Sequence, residues 1–279
     1  MTEKNIRKSI SRKYHRFFKR GISGMTASSR VLPNFIIIGT VRSGSTSLYY
    51  NICEHPSVLQ AAYDEIGFFD SNFHLGIDWY RSMFPTKNKM NDVLKDQICS
   101  ITGEDTPFYF WKKEAAERIY QILPNIKLIL ICRNPIDRAY SNYNLAIRNG
   151  SEKFSFENAI EDEIKFMDNH TFRECADRPR SYLTKGLYAE QLKIWYEIFS
   201  KEKILIISTE ELQKRPVDTL SNVYEFLKIP QYSIKNIQKQ KSAKYDKMNQ
   251  ATRKKLQSYF EPQNRVFFNM IQKEFDWDK

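Results

Sequence analysis

Residues 34–56 read NFIIIGTVRSGSTSLYYNICEHP: a short apolar run, a Gly/Ser-rich loop, and a helix-forming segment that His55-Pro56 brings to a stop. The run Phe35–Ile38, bounded by Gly39, has the length and composition of a strand covered on both faces. The loop after it opens a helix at about Ser45. Strand, loop and helix in this order make an anion site, because the first N–H groups of a helix have no intrahelical partner and point toward the loop.

Gly39-Thr40-Val41-Arg42-Ser43-Gly44-Ser45-Thr46 has the outer spacing of a Walker A loop, yet Ser45 stands where GxxxxGK[ST] requires lysine. A nucleoside triphosphate needs that lysine on its β- and γ-phosphates. A ligand with one substituted 5′-phosphate presents less charge, and backbone N–H groups, hydroxyls and one cation suffice for it. Ser43, Gly44, Ser45, Thr46 and Ser47 supply the first two, and Arg42 supplies the cation. The plainer reading is a glycine turn that joins strand to helix, and a P-loop nucleotide kinase is the enzymatic alternative.

Working outward, KLILICRNP (127–135) is a second all-apolar strand and IDRAYSNYNLAIRNG (136–150) its following helix, ended by Asn149-Gly150. KILIIST (203–209) is a third strand, GLYAEQLKIWYEIF (186–199) and VDTLSNVYEFLKI (217–229) are helices, and 152–180 is a charged helical insertion. The segment GEDTPFYFW (103–111) precedes another helix that stops near Leu123-Pro124. This alternation predicts an α/β fold with a central parallel sheet flanked by helices. Arg133 ends the second strand and Ser141 lies eight residues on, which brings a guanidinium and a hydroxyl to the end of the sheet where open α/β folds bind ligands. Such a pair suits a phosphate monoester; the alternative is a helix start with Arg138 paired to an acid.

Of the formal charge of +11 on 279 residues, +8 falls in residues 1–30, so the remainder is only weakly basic and nucleic acid is not the expected partner. Ile6, Ile10, Tyr14, Phe17 and Phe18 recur at helical spacing there. Residues 4–20 can form an amphipathic helix on an anionic membrane surface, a frayed, solvated and disordered leader being the plainer reading. Neither a signal peptide nor a transmembrane helix is legible, and a cytoplasmic location is expected. Cys53, Cys99, Cys132 and Cys175 form no CxxC pair and the histidines no ligand spacing, so no metal and no disulfide are expected. The domain proper is expected over 31–279.

Taken in order, IIIGTVRSGSTSL, DEIGFFD (64–70), GIDWYRSMFP (76–85), GEDTPFYFW, LICRNPIDRAYSNY (130–143), GLYAEQLKIWYEIF and YFEPQNRVFF…FDW resemble the sulfotransferases that use 3′-phosphoadenosine 5′-phosphosulfate (PAPS). Within that family they resemble the heparan-type carbohydrate branch and its bacterial relatives. The resemblance implies a P-loop-like sulfotransferase fold, PAPS as donor and a glycan or other hydroxyl or amine acceptor. It implies Glu65 as the base that takes the acceptor proton, and Arg42 as the cation on the leaving 5′-phosphate, at a position where the family usually has lysine. It also implies Arg133 and Ser141 on the 3′-phosphate, and a closing loop in KQKSAKYDKM (239–248) with Lys241, Ala243, Lys244 and Tyr245 on the donor. Ser242 and Ala243 replace the family's Gly and Arg there, and Asp64 replaces a common lysine before the base. Glu104 is expected to position the acceptor. Trp79 and Trp111 are candidate sugar-facing rings, core packing being their plainer role. A binder of anionic glycan or nucleic acid without catalysis is the competing reading.

Overall fold

The computed structural model describes residues 26–234, 237 and 245–277. Five parallel strands form one sheet in the order β2-β3-β1-β4-β5: β1 (Phe35–Gly39), β2 (Val58–Leu59), β3 (Ile101–Asp105), β4 (Lys127–Cys132) and β5 (Ile204–Ser208). The first apolar run is thus the middle strand, paired to β3 on one side and β4 on the other. The three apolar runs of the sequence are β1, β4 and β5. The strand β3 was not legible: ITGED ends in a glycine and two acids, where a covered strand is expected to be apolar.

Successive side chains of a strand point to opposite faces, and the core divides accordingly. Ile36, Ile38, Leu128, Leu130 and Cys132 face a large aromatic layer that includes Phe68, Phe69, Tyr80, Tyr109 and Trp195. Phe35, Ile37, Ile129 and Ile131 face Leu48, Ile52, Leu220 and Val223 on the other side. The glycine that ends β1 is required by close approach, because a Cβ on Gly39 would lie 2.7 Å from Cβ of Phe110.

The helix α1 (Ser45–Cys53) follows β1 directly, and α2 (Pro135–Arg148) follows β4. Pro135 occupies the first turn of α2, and the Asn134 side chain caps it by accepting from the N–H groups of Ile136 and Asp137. The charged segment after it forms α3 (Phe156–Met167), which packs with α2 and with the long α4 (Gln250–Ile271) around Ile136, Phe156, Tyr182 and Phe260. It is therefore part of the packed body. The packed chain also begins before residue 31: Ala27 is buried, and Arg30 Nη1 donates to the Phe84 carbonyl at 2.6 Å.

Candidate active site

The loop 40–44 turns sharply between β1 and α1. Thr40 and Ser43 hydroxyls lie 2.5 Å apart, and the Thr209 hydroxyl, just past β5, is within bonding distance of both the Ser43 carbonyl (2.6 Å) and the Cys132 carbonyl (2.9 Å). Gly44 caps α1 with left-handed backbone (φ 86°) and no side chain satisfies the first N–H groups of the helix, which leaves them directed at the loop. Arg42 also has left-handed backbone, φ 70°.

Arg42 Nε donates to Ser141 Oγ at 3.1 Å, and Arg133 Nη1 donates to the Arg42 carbonyl at 3.3 Å. The loop after β1 and the start of α2 therefore form one cationic surface. The Tyr188 hydroxyl fixes Arg133 by donating to its carbonyl at 2.7 Å. Burial, then the nearby Arg148 and Arg133 charges, pull the Arg42 pKa down, while Tyr245 acts in the opposite direction. Tyr245 itself stands edge-on to Tyr140 of α2, with ring centroids 5.5 Å apart. Arg138 is fully buried, with Nη2 donating to the Tyr182 carbonyl; it forms no acid pair, and its Nε and Nη1 find no partner among the described residues. Its burial lowers its pKa, with Arg133 and Arg42 acting in the same direction.

Glu65 lies in the loop before the aromatic layer, exposed and with left-handed backbone (φ 55°). Its N–H donates to the Asp105 carbonyl at the end of β3 (2.8 Å), and the Gly67 N–H donates to the Thr106 hydroxyl (3.2 Å). Thr106 in turn donates to Glu104 (2.8 Å), which also accepts from Tyr80 at 2.6 Å. Glu104 is fully buried and its pKa is pushed up to about 7 by burial, against the opposing hydrogen bonds of Tyr80, Thr106 and Tyr109. It thus supports the loop of Glu65 from beneath and does not reach an open surface. Alternation along β3 sends the next side chain, Asp105, to the other face, where it is fully buried; burial pushes its pKa well up, with the Asp64 and Glu65 charges acting in the same direction and the Thr46 hydroxyl against them.

The structure thus brings Arg42, Arg133 and Ser141 together at the loop that runs through Ser43, Gly44, Ser45 and Thr46, with Tyr245 against the helix that carries Ser141; Glu65 lies in a separate loop tied to the end of β3. Trp79 is placed differently: its ring stacks on Phe68 at 6.2 Å within the aromatic layer, only 8% exposed, because the apolar ring gains most from burial there. Trp111 is also buried, under the Lys185 ammonium at 4.5 Å. Lys241, Ala243 and Lys244 lie outside the described residues, as do residues 4–20. No helix of the described residues is long and apolar enough to cross a membrane. Sequence reasoning missed Asp105, Arg148, Tyr188 and Thr209. The only signal for Asp105 was its adjacency to Glu104; the others become visible only through the sheet order.

A family model described as "Sulfotransferase domain" matches residues 32–278. The chain is 30% identical to mouse heparan sulfate glucosamine 3-O-sulfotransferase 3B1 over 280 residues, 90% of this chain and 66% of that protein. It is 27% identical to the membrane-associated sulfotransferase kil1 of Dictyostelium discoideum, over 88% of this chain and 66% of that one. Against the bifunctional heparan sulfate N-deacetylase/N-sulfotransferase 1 of Caenorhabditis briggsae the identity is 28%, over 89% of this chain and 31% of that protein. The chain therefore spans slightly less than two thirds of the first two relatives and under a third of the third. The solved sulfotransferase of Alicyclobacillus acidocaldarius shares the fold, with a TM-score of 0.68 at 23% identity, over 89% of this chain and all of that one. The motifs read in order along the sequence, the five-stranded parallel sheet and a family match running almost from end to end agree: this chain belongs to the sulfotransferase family.

Proposed function

We propose that this protein transfers a sulfuryl group from PAPS to a hydroxyl or amine of a carbohydrate, with Glu65 as the base and Arg42 as the cation on the leaving phosphate. One observation carries the proposal: Arg42, Ser141 and Arg133 are linked by hydrogen bonds although the loop and helix lie 99 positions apart in the chain. Two guanidinium groups, a hydroxyl and the free N–H groups of α1 on one surface suit a ligand with separate phosphate groups.

In the step itself the acceptor oxygen or nitrogen forms a bond to sulfur while the bond from sulfur to the 5′-phosphate oxygen breaks in line. The acceptor proton passes to the Glu65 carboxylate, and the electron pair leaves with the phosphate, whose charge Arg42 and the α1 N–H groups neutralise. Arginine stays charged through this step, so Arg42 stabilises the leaving group without protonating it. The hydrogen bonds from Glu65 N–H and Gly67 N–H to β3 and Thr106 hold the base's loop against the sheet.

The direct test is calorimetric titration with adenosine 3′,5′-bisphosphate beside ATP and 5′-AMP, without metal. Preference for the bisphosphate over both supports the donor assignment. Preference for ATP, or no binding, overturns it.

A further inference from the structure

A second group of cations lies along α2, inside the fold. Arg138 is fully buried; its Nη2 donates to the Tyr182 carbonyl, while Nε and Nη1 have no partner. The chain then turns through Thr184–Gly186 against the start of the same helix, so closely that a Cβ on Gly186 would lie 3.0 Å from Cβ of Pro135. Lys185 sits in that turn, between one residue bonded to Arg138 and another packed on Pro135, and its ammonium lies 4.5 Å from the centre of the Trp111 ring. Trp111 Nε1 is likewise buried without a partner. Among the described residues neither Arg138 nor Lys185 forms an ion pair. Glu163 is the carboxylate whose charge acts on both, and it already accepts from the N–H groups of Tyr182, Leu183 and Thr184. Asp177, which also acts on Lys185, is paired with Lys112 at 3.7 Å. Tyr188, the other group that acts on Arg138, is held neutral by burial. Arg138, Lys185 and Lys112 thus face two acids, and one positive charge is left uncompensated.

We infer that Arg138 and Lys185 hold a small inorganic monoanion of the kind of chloride, at a site separate from the donor's. The buried guanidinium with two unpartnered nitrogens is the observation that points to a ligand. Every unpartnered group here is a donor, and a halide accepts from several donors while offering none of its own. Water can satisfy such N–H groups, but it brings no counter-charge, and a buried cation without one is strongly unfavourable. The excess of a single charge matches a monoanion. Arg138 is wholly enclosed whereas Lys185 is half-buried, so the ion enters past Lys185, and a nucleotide phosphate on the open side of the sheet cannot reach Arg138. Burial lowers the Lys185 pKa to about 8, with the Arg138 charge acting in the same direction; a bound anion opposes both effects. It also offsets the repulsion that Arg133 and Arg42 exert on Arg138. The inference does not depend on which reaction the donor surface serves.

The test follows thermal unfolding of the full chain in excess adenosine 3′,5′-bisphosphate, near neutral pH and at constant ionic strength, as sodium gluconate is replaced by sodium chloride. The midpoint should rise by at least about 3 °C and level off as the site fills. Lys185→Met, which removes the ammonium and keeps the length of the side chain, should abolish the rise. Crystals grown with bromide in place of chloride should show an anomalous peak in contact with Arg138 Nε or Nη1, and this measurement decides the matter where Lys185→Met does not fold. Equal midpoints in the two salts would mean that water alone serves these groups and would overturn the inference. A rise that survives in Lys185→Met, or bromide bound only at other places, would overturn it too. Failure of the bisphosphate to bind would count against the donor assignment alone, because the comparison of Lys185→Met with its parent still locates the chloride effect.

Discussion

Arg42 and Ser141 are joined by a 3.1 Å hydrogen bond from Nε to Oγ, which ties the loop after the middle strand to the helix after its neighbour in one surface. Ser141 is buried, so its hydroxyl is held at the guanidinium with little freedom to turn away. Hydrogen bonds to charged groups contribute about 1.5–3 kcal/mol. Ser141→Ala is therefore expected to weaken adenosine 3′,5′-bisphosphate binding roughly tenfold, and Arg133→Ala by more, because it removes a charge as well. Calorimetry on both variants checks this. Unchanged affinity in Arg133→Ala would rule out its assignment to the donor.

Glu65→Gln keeps size and loop contacts but cannot take a proton. Bisphosphate binding should be retained, while sulfuryl transfer from PAPS falls at least about 100-fold. Transfer at an undiminished rate, measured with labelled donor, would show that another group is the base.

Glu104 supplies a pH signature. Its folded pKa, about 7, lies above the ordinary carboxylate value of 4.5, so the folded state holds this proton more tightly than the unfolded chain. The corresponding stability is fully present below about pH 4.5 and is lost as pH rises toward 7. Glu104→Gln imitates the protonated form at every pH. The variant and the parent should respond alike in denaturant near pH 4.5 and diverge by on the order of 3 kcal/mol above pH 7, with the parent the weaker. A difference independent of pH would refute the assignment.

Glu163 of α3 is fully buried and accepts from the backbone N–H groups of Tyr182, Leu183 and Thr184, at 2.7, 2.8 and 2.8 Å. It also accepts from the Thr184 hydroxyl. Glu163→Ala leaves these donors unsatisfied in the segment that leads to Tyr188, the residue that fixes Arg133. A loss of about 3 kcal/mol in urea unfolding is expected, with weaker bisphosphate binding as a second readout.

How much of this was readable in advance depended on distance along the chain. The loop 39–46 was legible because its meaning is local: a strand, glycines and a helix start within a few residues. Arg133 and Ser141 were legible as a pair, but their contact with Arg42 required β4 to lie beside β1, which comes from sheet order and not from either segment alone. The strand β3 was hidden because its last residues, Glu104 and Asp105, are there for polar work on opposite faces of the sheet and spoil the apolar pattern that identifies its neighbours. The helix α4 was obscured for a different reason, since Pro262 lies inside it and proline ordinarily ends a helix. Trp79 carried two readings, a sugar-facing ring and a core ring, and it takes the plainer one, in the aromatic layer around Phe68.

Among the described non-glycine residues with left-handed backbone, Arg42 and Glu65 are the two outside helix ends. Each position is one where glycine would be more comfortable by about 1 kcal/mol. A laboratory selection that rewarded heat resistance alone would therefore drift toward Glu65→Gly and Arg42→Gly, yielding a sturdier protein without the two side chains to which the proposed transfer step assigns its proton and its charge. Screens for hardier versions of this protein that are meant to keep the proposed activity should hold these two positions fixed and let the rest of the chain vary.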